Sequence, residues 1–142
     1  MAKQHWLFKT EPSTWSWDDQ TAAEDQTTSW DGVRNHVAKN NMKAMALGDL
    51  GFFYHSVKEK RIVGIVEVVG EYVPDPTDTK REGDQRFGMV HVRAIEPVDP
   101  PITLEQIKAE PALGEMVLVN NSRLSVQPVT PAQWEAVLKL SR

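Results

Sequence analysis

No cysteine occurs anywhere in the chain. A disulfide framework and a thiolate metal site are therefore both excluded. No apolar run reaches the roughly 20 residues that a membrane-spanning helix needs. The opening Met1-Ala2-Lys3-Gln4-His5-Trp6 has no apolar stretch of the secretory kind, so a soluble, cytoplasmic protein with no membrane partner is expected. An excess of basic residues is missing as well. Sixteen Lys and Arg face 20 Asp and Glu, a formal net charge of −4. That argues against a strong non-specific nucleic-acid clamp. It leaves room for small local patches. Lys58, Lys60 and Arg61 lie together, as do Lys80, Arg81 and Arg86, although each cluster alone reads as a solvated loop.

Catalytic machinery is equally sparse. The four histidines, His5, His36, His55 and His91, form no His-x-Glu or His-Glu-x-x-His pattern, so a zinc site has no support. Gly48 and Gly51 are isolated, without the Gly-Lys-Ser/Thr end of a phosphate loop. His55 and Ser56 suggest a base and a nucleophile. Neighbours on a strand point to opposite faces, which denies them the direct hydrogen bond that activation needs. A non-enzymatic protein without cofactor or metal is expected.

What is present is an ordinary globular balance of apolar and charged residues. A chain of 142 residues reads as one domain, residues 1–142, and can bury about two thirds of its unfolded surface. Trp6, Leu7 and Phe8 read as a first strand, ended by Pro12. Ser16 with Asp19 resembles a capping box, and residues 20–29 read as a surface loop. Residues 50–55 suit a central strand, apolar on both faces. Residues 62–69, β-branched nearly throughout, form the strongest strand, and Gly64 within it marks a bulge or close backbone approach. Tyr72-Val73-Pro74-Asp75-Pro76 is expected to break the sheet. The charged stretch through Arg86 is expected to be the most mobile segment. Residues 87–95 return as a strand ended by Glu96-Pro97. Thr103 with Gln106 caps a short helix over 104–109. Residues 123–127 alternate as a strand. Thr130-Pro131 opens a last helix that presents Trp134, Val137 and Leu138 to the core. The sum is α+β: about five mostly antiparallel strands curled into a small barrel, with peripheral helices.

The stretch Trp30-Asp31-Gly32-Val33-Arg34-Asn35 stands out. Trp30 offers a rigid π-face, Gly32 allows a sharp turn, and Asp31 can cap a helix over residues 33–45. At 100° per residue, Arg34 and Asn41 fall inside that helix's apolar arc. Arg34 is therefore expected to be buried and paired. Asn35 and Ser56 can both donate and accept, which suits reading a base edge. Trp30, Asn35, Tyr54, His55 and Ser56 are expected to border one cavity for a flat heteroaromatic group.

These residues carry a resemblance. Trp6-Leu7-Phe8-Lys9-Thr10-Glu11-Pro12, the Trp30–Asn35 stretch and Gly48-Asp49 with Phe52-Phe53-Tyr54-His55-Ser56 resemble motifs of the EVE domain family. So do Gly64 with Glu67-Val68, Tyr72 with Pro74-Asp75-Pro76, and Ser122-Arg123-Leu124-Ser125-Val126-Gln127-Pro128 with Trp134. The resemblance runs over nearly the whole chain. It implies a PUA-like fold, a curled β-barrel with helices at its rim, and kinship with YTH domains, which bind methylated adenine in RNA. It implies a reader of modified bases, modified cytosine in DNA ahead of RNA. Carried over by motif, Trp30 would be the stacking wall, with Lys9, Thr10 and Glu11 at the lip. Asn35 would contribute from the helix start, and Tyr54, His55 and Ser56 from a strand end. Arg123 and Ser125 would support the floor or meet a phosphate. The family commonly has serine where Thr10 stands and arginine where Lys39 stands; both exchanges keep hydrogen-bonding character.

The expected function is a non-catalytic binding module for a modified nucleobase, monomeric and partnered by nucleic acid. The alternatives are an RNA-binding PUA-like module, and a small-molecule binder or hydrolase that uses His55 in the same pocket.

Overall fold

The computed structural model describes residues 4–77, 87–121 and 123–141. Three capping boxes punctuate the chain, two where the sequence suggests a box and the third at the expected N-cap Thr130. Ser16 caps α1, Trp17–Ala22. Thr103 caps α3, Leu104–Ala109. Thr130 caps α5, Pro131–Leu140, with Pro131 in the first turn. In each case a hydroxyl accepts from the N–H three residues on, and the side chain there accepts from the cap's own N–H. A single turn, α4 (Val117–Asn120), lies between the last two of these.

The six strands are β1 (His5–Thr10), β2 (Thr27–Trp30), β3 (Leu50–His55), β4 (Arg61–Pro74), β5 (Gly88–Thr103) and β6 (Val126–Val129). They form one sheet in the order β2-β5-β4-β3-β1-β6. Among the described residues only β1 with β3 is parallel; the other pairs are antiparallel. The α+β class with a mostly antiparallel sheet is as expected. Among the described residues the strands number six rather than about five, and β2 and β6 remain as open edges.

Alternation along the strands builds two cores, one on each face. Trp6 and Phe8 of β1 and Phe53 of β3 join Trp30, Met42 and Val126 on one face. Leu7, Phe52 and Tyr54 join Ile107, Trp134 and Val137 on the other. The unbroken aromatic run Phe52-Phe53-Tyr54 is thus buried on both sides, as a central strand requires. A helix α2 (His36–Lys43) covers the first core; α3, α4 and α5 cover the second.

Gly64 marks both the expected shift of register and a close approach. It pairs with Phe53 on one side and Pro97 on the other, beside breaks in both ladders. A methyl group here would overlap the indole of Trp17, which packs edge-on to Phe53 with centroids 5.2 Å apart. Gly64→Ala is expected to cost about 1–3 kcal/mol by overpacking. Thermal unfolding checks this, and an unchanged melting curve would mean that the Trp17 ring swings clear.

Four sequence expectations need correcting. Residues 20–29 are not one loop: Thr27–Trp30 pairs along β5 as an edge strand. β4 does not break at Tyr72 but runs to Pro74. β5 does not end at Pro97 but runs to Thr103. Its ladder to β4 passes from Pro97 opposite Gly64 to Ile102 opposite Ile62, so residues 98–101 bulge out, and Pro100 and Pro101 need donate to no partner strand. The second helix begins at His36, not Val33, and its cap is Asn35 rather than Asp31; Asn35 Oδ1 accepts from the N–H of Ala38 at 2.9 Å. The charged stretch containing Lys80, Arg81 and Arg86 lies outside the described residues, as does Ser122. No helix among the described residues is long and apolar enough to cross a membrane.

Candidate nucleic-acid interface

Two clefts open where β1 ends, on either side of a shared wall of Lys9, Thr10 and Ser125. The wall is fixed by the backbone: the N–H of Lys9 donates to the carbonyl of Ser125 at 2.8 Å.

The smaller cleft, about 270 Å³, is otherwise formed by Thr14, Trp15 and the turn from Trp30 to Arg34. That lies just below the usual range for drug-sized ligands, so it suits a single planar ring. Trp15 is half-buried there. Its indole N–H donates to Gln20 Oε1 at 2.8 Å. Gln20, fully buried, donates in turn to the carbonyls of Gln26 (2.8 Å) and Val92 (3.2 Å). The Thr10 hydroxyl donates to the Trp15 carbonyl at 2.9 Å. The ring is therefore held from both its edge and its backbone. Trp30 is different. It is only 8% exposed and packs edge-on to Phe8 and Phe53, with centroids 5.2 and 5.7 Å away. It is a core residue that lends a margin to the cleft.

The turn after Trp30 is held from a distance. Gly32 has φ +75°, a region glycine enters freely, and its N–H donates to Asp75 Oδ2 at 2.8 Å. Arg34 Nη1 reaches the same oxygen at 3.1 Å and the Val33 carbonyl at 3.0 Å. Thr77 supplies its N–H and hydroxyl to Asp75 Oδ1 at 2.7 and 2.6 Å. Burial pushes the Asp75 carboxyl up, but donation from Thr77, Gly32 and Arg34 outweighs it and holds the group below its ordinary range. Arg34 is paired as expected but not buried: its side chain is 39% exposed. With the helix starting at His36, Arg34 lies ahead of the apolar arc, and its charge stays in water.

The larger cleft, about 650 Å³, gathers Glu11, Tyr54, Ser56 and Arg123 with Lys9, Thr10 and Ser125. Burial pushes the Tyr54 hydroxyl up to about 12 and the Lys9 ammonium down. Lys9 Nζ lies 5.8 Å from the centre of the Tyr54 ring.

The single cavity expected from sequence is therefore two, and two of its residues belong to neither. Asn35 is spent on the helix cap. His55 faces a different surface, beside Trp17 and Arg61. Its Nε2 accepts from the N–H of Trp17 at 3.0 Å, which leaves the proton on Nδ1 to donate to Glu59 Oε1 at 2.8 Å. That bond, with Arg61 at 3.0 Å, lowers the Glu59 carboxyl. Both ring nitrogens are thus committed to joining α1 to the β3–β4 loop, which weakens the reading of His55 as a base. Trp15 and Thr14 escape a reading by motif, and the motif that contains Asp75 gives no sign that its side chain holds the Trp30–Arg34 turn.

The curled, mostly antiparallel sheet with helices on both faces is a PUA-like fold, and comparison gives its family. Residues 4–140 match the EVE domain, and the chain belongs to that family. It is 37% identical to human thymocyte nuclear protein 1 over 96% of this chain and 73% of that protein. The crystal structure of that human protein with DNA containing 5-methylcytosine superposes with a TM-score of 0.93, at 35% identity, over 99% of this chain and 98% of that one. An Agrobacterium tumefaciens protein is 45% identical, with a TM-score of 0.91 over 97% and 92% of the two chains. A yeast YTH domain, from Zygosaccharomyces rouxii, shares the fold at 20% identity and a TM-score of 0.58.

Proposed function

We propose that this protein is a reader that binds DNA without changing it and holds one modified cytosine in the smaller cleft. The observation that carries the reading is the fixed Trp15 ring, clamped by buried Gln20 in a cleft sized for one heterocycle. A base inside a duplex cannot reach such a site, so the target must leave the stack. Its face would lie on Trp15, with the margin of Trp30 alongside. Asp31, exposed on the cleft rim, is an acceptor of the kind that matches the exocyclic amine of cytosine. The likeness to the human relative bound to 5-methylcytosine DNA supports the same class of ligand.

Trp15→Ala is expected to lose about 1–3 kcal/mol of binding, the worth of one stacked base, with the fold kept because the ring is only half-buried. The test titrates wild type and Trp15→Ala against a DNA oligonucleotide carrying one 5-methylcytosine and against its unmodified twin. A wild type that binds both equally, or a variant that binds as wild type does, would overturn the reading.

A further inference from the structure

Resting on the reading above, we infer that the larger cleft is a track for the phosphodiester backbone of a single strand continuing away from the extruded base. The chain as a whole is acidic, with 20 Asp and Glu against 16 Lys and Arg. The cleft reverses that balance. Lys9, Lys60, Lys108 and Arg123 line it, against Glu11 alone. Among the described residues, Lys60, Lys108 and Arg123 take part in no ion pair. Like charges gathered in a concave surface repel one another and focus a positive potential, which an arriving anion relieves.

The fold brings these charges together on purpose-built supports. Lys60 ends the β3–β4 loop at φ +51°, and its carbonyl accepts from the N–H of Leu104 at 2.9 Å. That bond ties the loop to the start of α3, whose last turn carries Lys108. Lys60 and Lys108 also border the next groove along, where Lys58 joins them and Glu59 and Glu105 offset part of the charge. Position sets the direction of the strand. The cleft shares its Lys9–Thr10–Ser125 wall with the base site, so nucleotides adjoining a seated base meet it directly. Tyr54, only 2% exposed, and Leu104 give the cleft its apolar lining between the cations. A cationic groove tracks a backbone without reading its sequence.

The experiment measures the salt dependence of binding for a single-stranded DNA decamer with one 5-methylcytosine and for its unmodified twin. Wild type, the double variant Lys60→Gln/Lys108→Gln, and Lys139→Gln on α5, which is not part of the cleft lining, are compared. All three positions are exposed or half-exposed, and melting curves check that the fold is kept. Two lost phosphate contacts should reduce the magnitude of the slope of log K against log salt by about 1.4, for both oligonucleotides and with the modified-to-unmodified ratio unchanged. Lys139→Gln should leave the slope alone. An unchanged slope in the double variant, or an equal drop in Lys139→Gln, would overturn the track. So would displacement of the strand by inorganic phosphate at constant ionic strength, which would make the cleft a site for the free anion. The two readings separate cleanly. A wild type that prefers the modified strand while the double variant keeps its slope sinks the track alone. A wild type without preference, whose slope still falls in the double variant, keeps the track and sinks the modified-base reading.

Discussion

Replacing Trp30 with alanine is expected to unfold the protein more readily before it weakens any ligand. Only 8% of the residue is exposed. Its ring fills the space between Phe8 of β1 and Phe53 of β3, edge-on to both. Truncating a buried tryptophan removes its transfer free energy and leaves a cavity that the close-packed sheet cannot collapse, a loss of about 3–5 kcal/mol. For a chain of this length that corresponds to a fall of roughly 15 °C in melting temperature. Circular dichroism during thermal unfolding measures it. A fall of only a few degrees, with binding abolished, would return Trp30 to the role the motif suggests, a wall for the ligand rather than a part of the core.

The second large effect belongs to Asp75. Asp75→Ala is expected to cost about 3 kcal/mol, the low end for removing one partner of a buried pair. The side chain is wholly buried, and the Gly32 and Thr77 groups that donate to it would lose their acceptor. The low end applies because Arg34 keeps partial access to water. For the same reason Arg34→Ala is expected to cost only about 1 kcal/mol or less, so removing the acid hurts more than removing the base. The dependence on pH has a definite sign. The Asp75 carboxyl titrates below its ordinary value in the folded protein, so its contribution is complete at neutral pH and is lost as pH falls through that lowered value. The gap in melting temperature between wild type and Asp75→Ala should therefore narrow below about pH 4. A gap that is constant, or that widens on acidification, would show that the carboxylate is not what holds the turn.

What could be read in the sequence follows from how far each signal reaches. The capping boxes at Ser16 and Thr103 and the N-cap at Thr130 are each complete within four residues, and all three form. The central strand is legible because Phe52, Phe53 and Tyr54 can be buried only if both faces are covered. The edge strand Thr27–Trp30 is not legible, since its small polar residues carry no alternation and gain their structure from β5 alone. Arg34 was placed on a buried arc by starting the helix at Val33. Asn35 outcompetes Asp31 for the cap, and a shift of three residues turns the side chain out. Lys9, Thr10, Trp30 and Ser125, which the motifs group together, line one cleft. Trp15 is not legible, because its orientation depends on Gln20, and Gln20 is held by Val92 of β5. Asp75 reaches Gly32 across 43 positions, a link that no local pattern reports.

The placement of β1 between β3 and β6 has a consequence for how the protein acquires its site. The wall shared by the clefts joins residues 9 and 10 to residue 125, strands drawn from opposite regions of the chain and closed by pairings of long sequence separation. Such contacts form only after the intervening loop entropy has been overcome, so they are slow and late. Neither a first half nor a second half of the chain carries the wall. A site built on this wall is therefore expected to be absent from any partly assembled sheet in which β6 has not yet docked on β1.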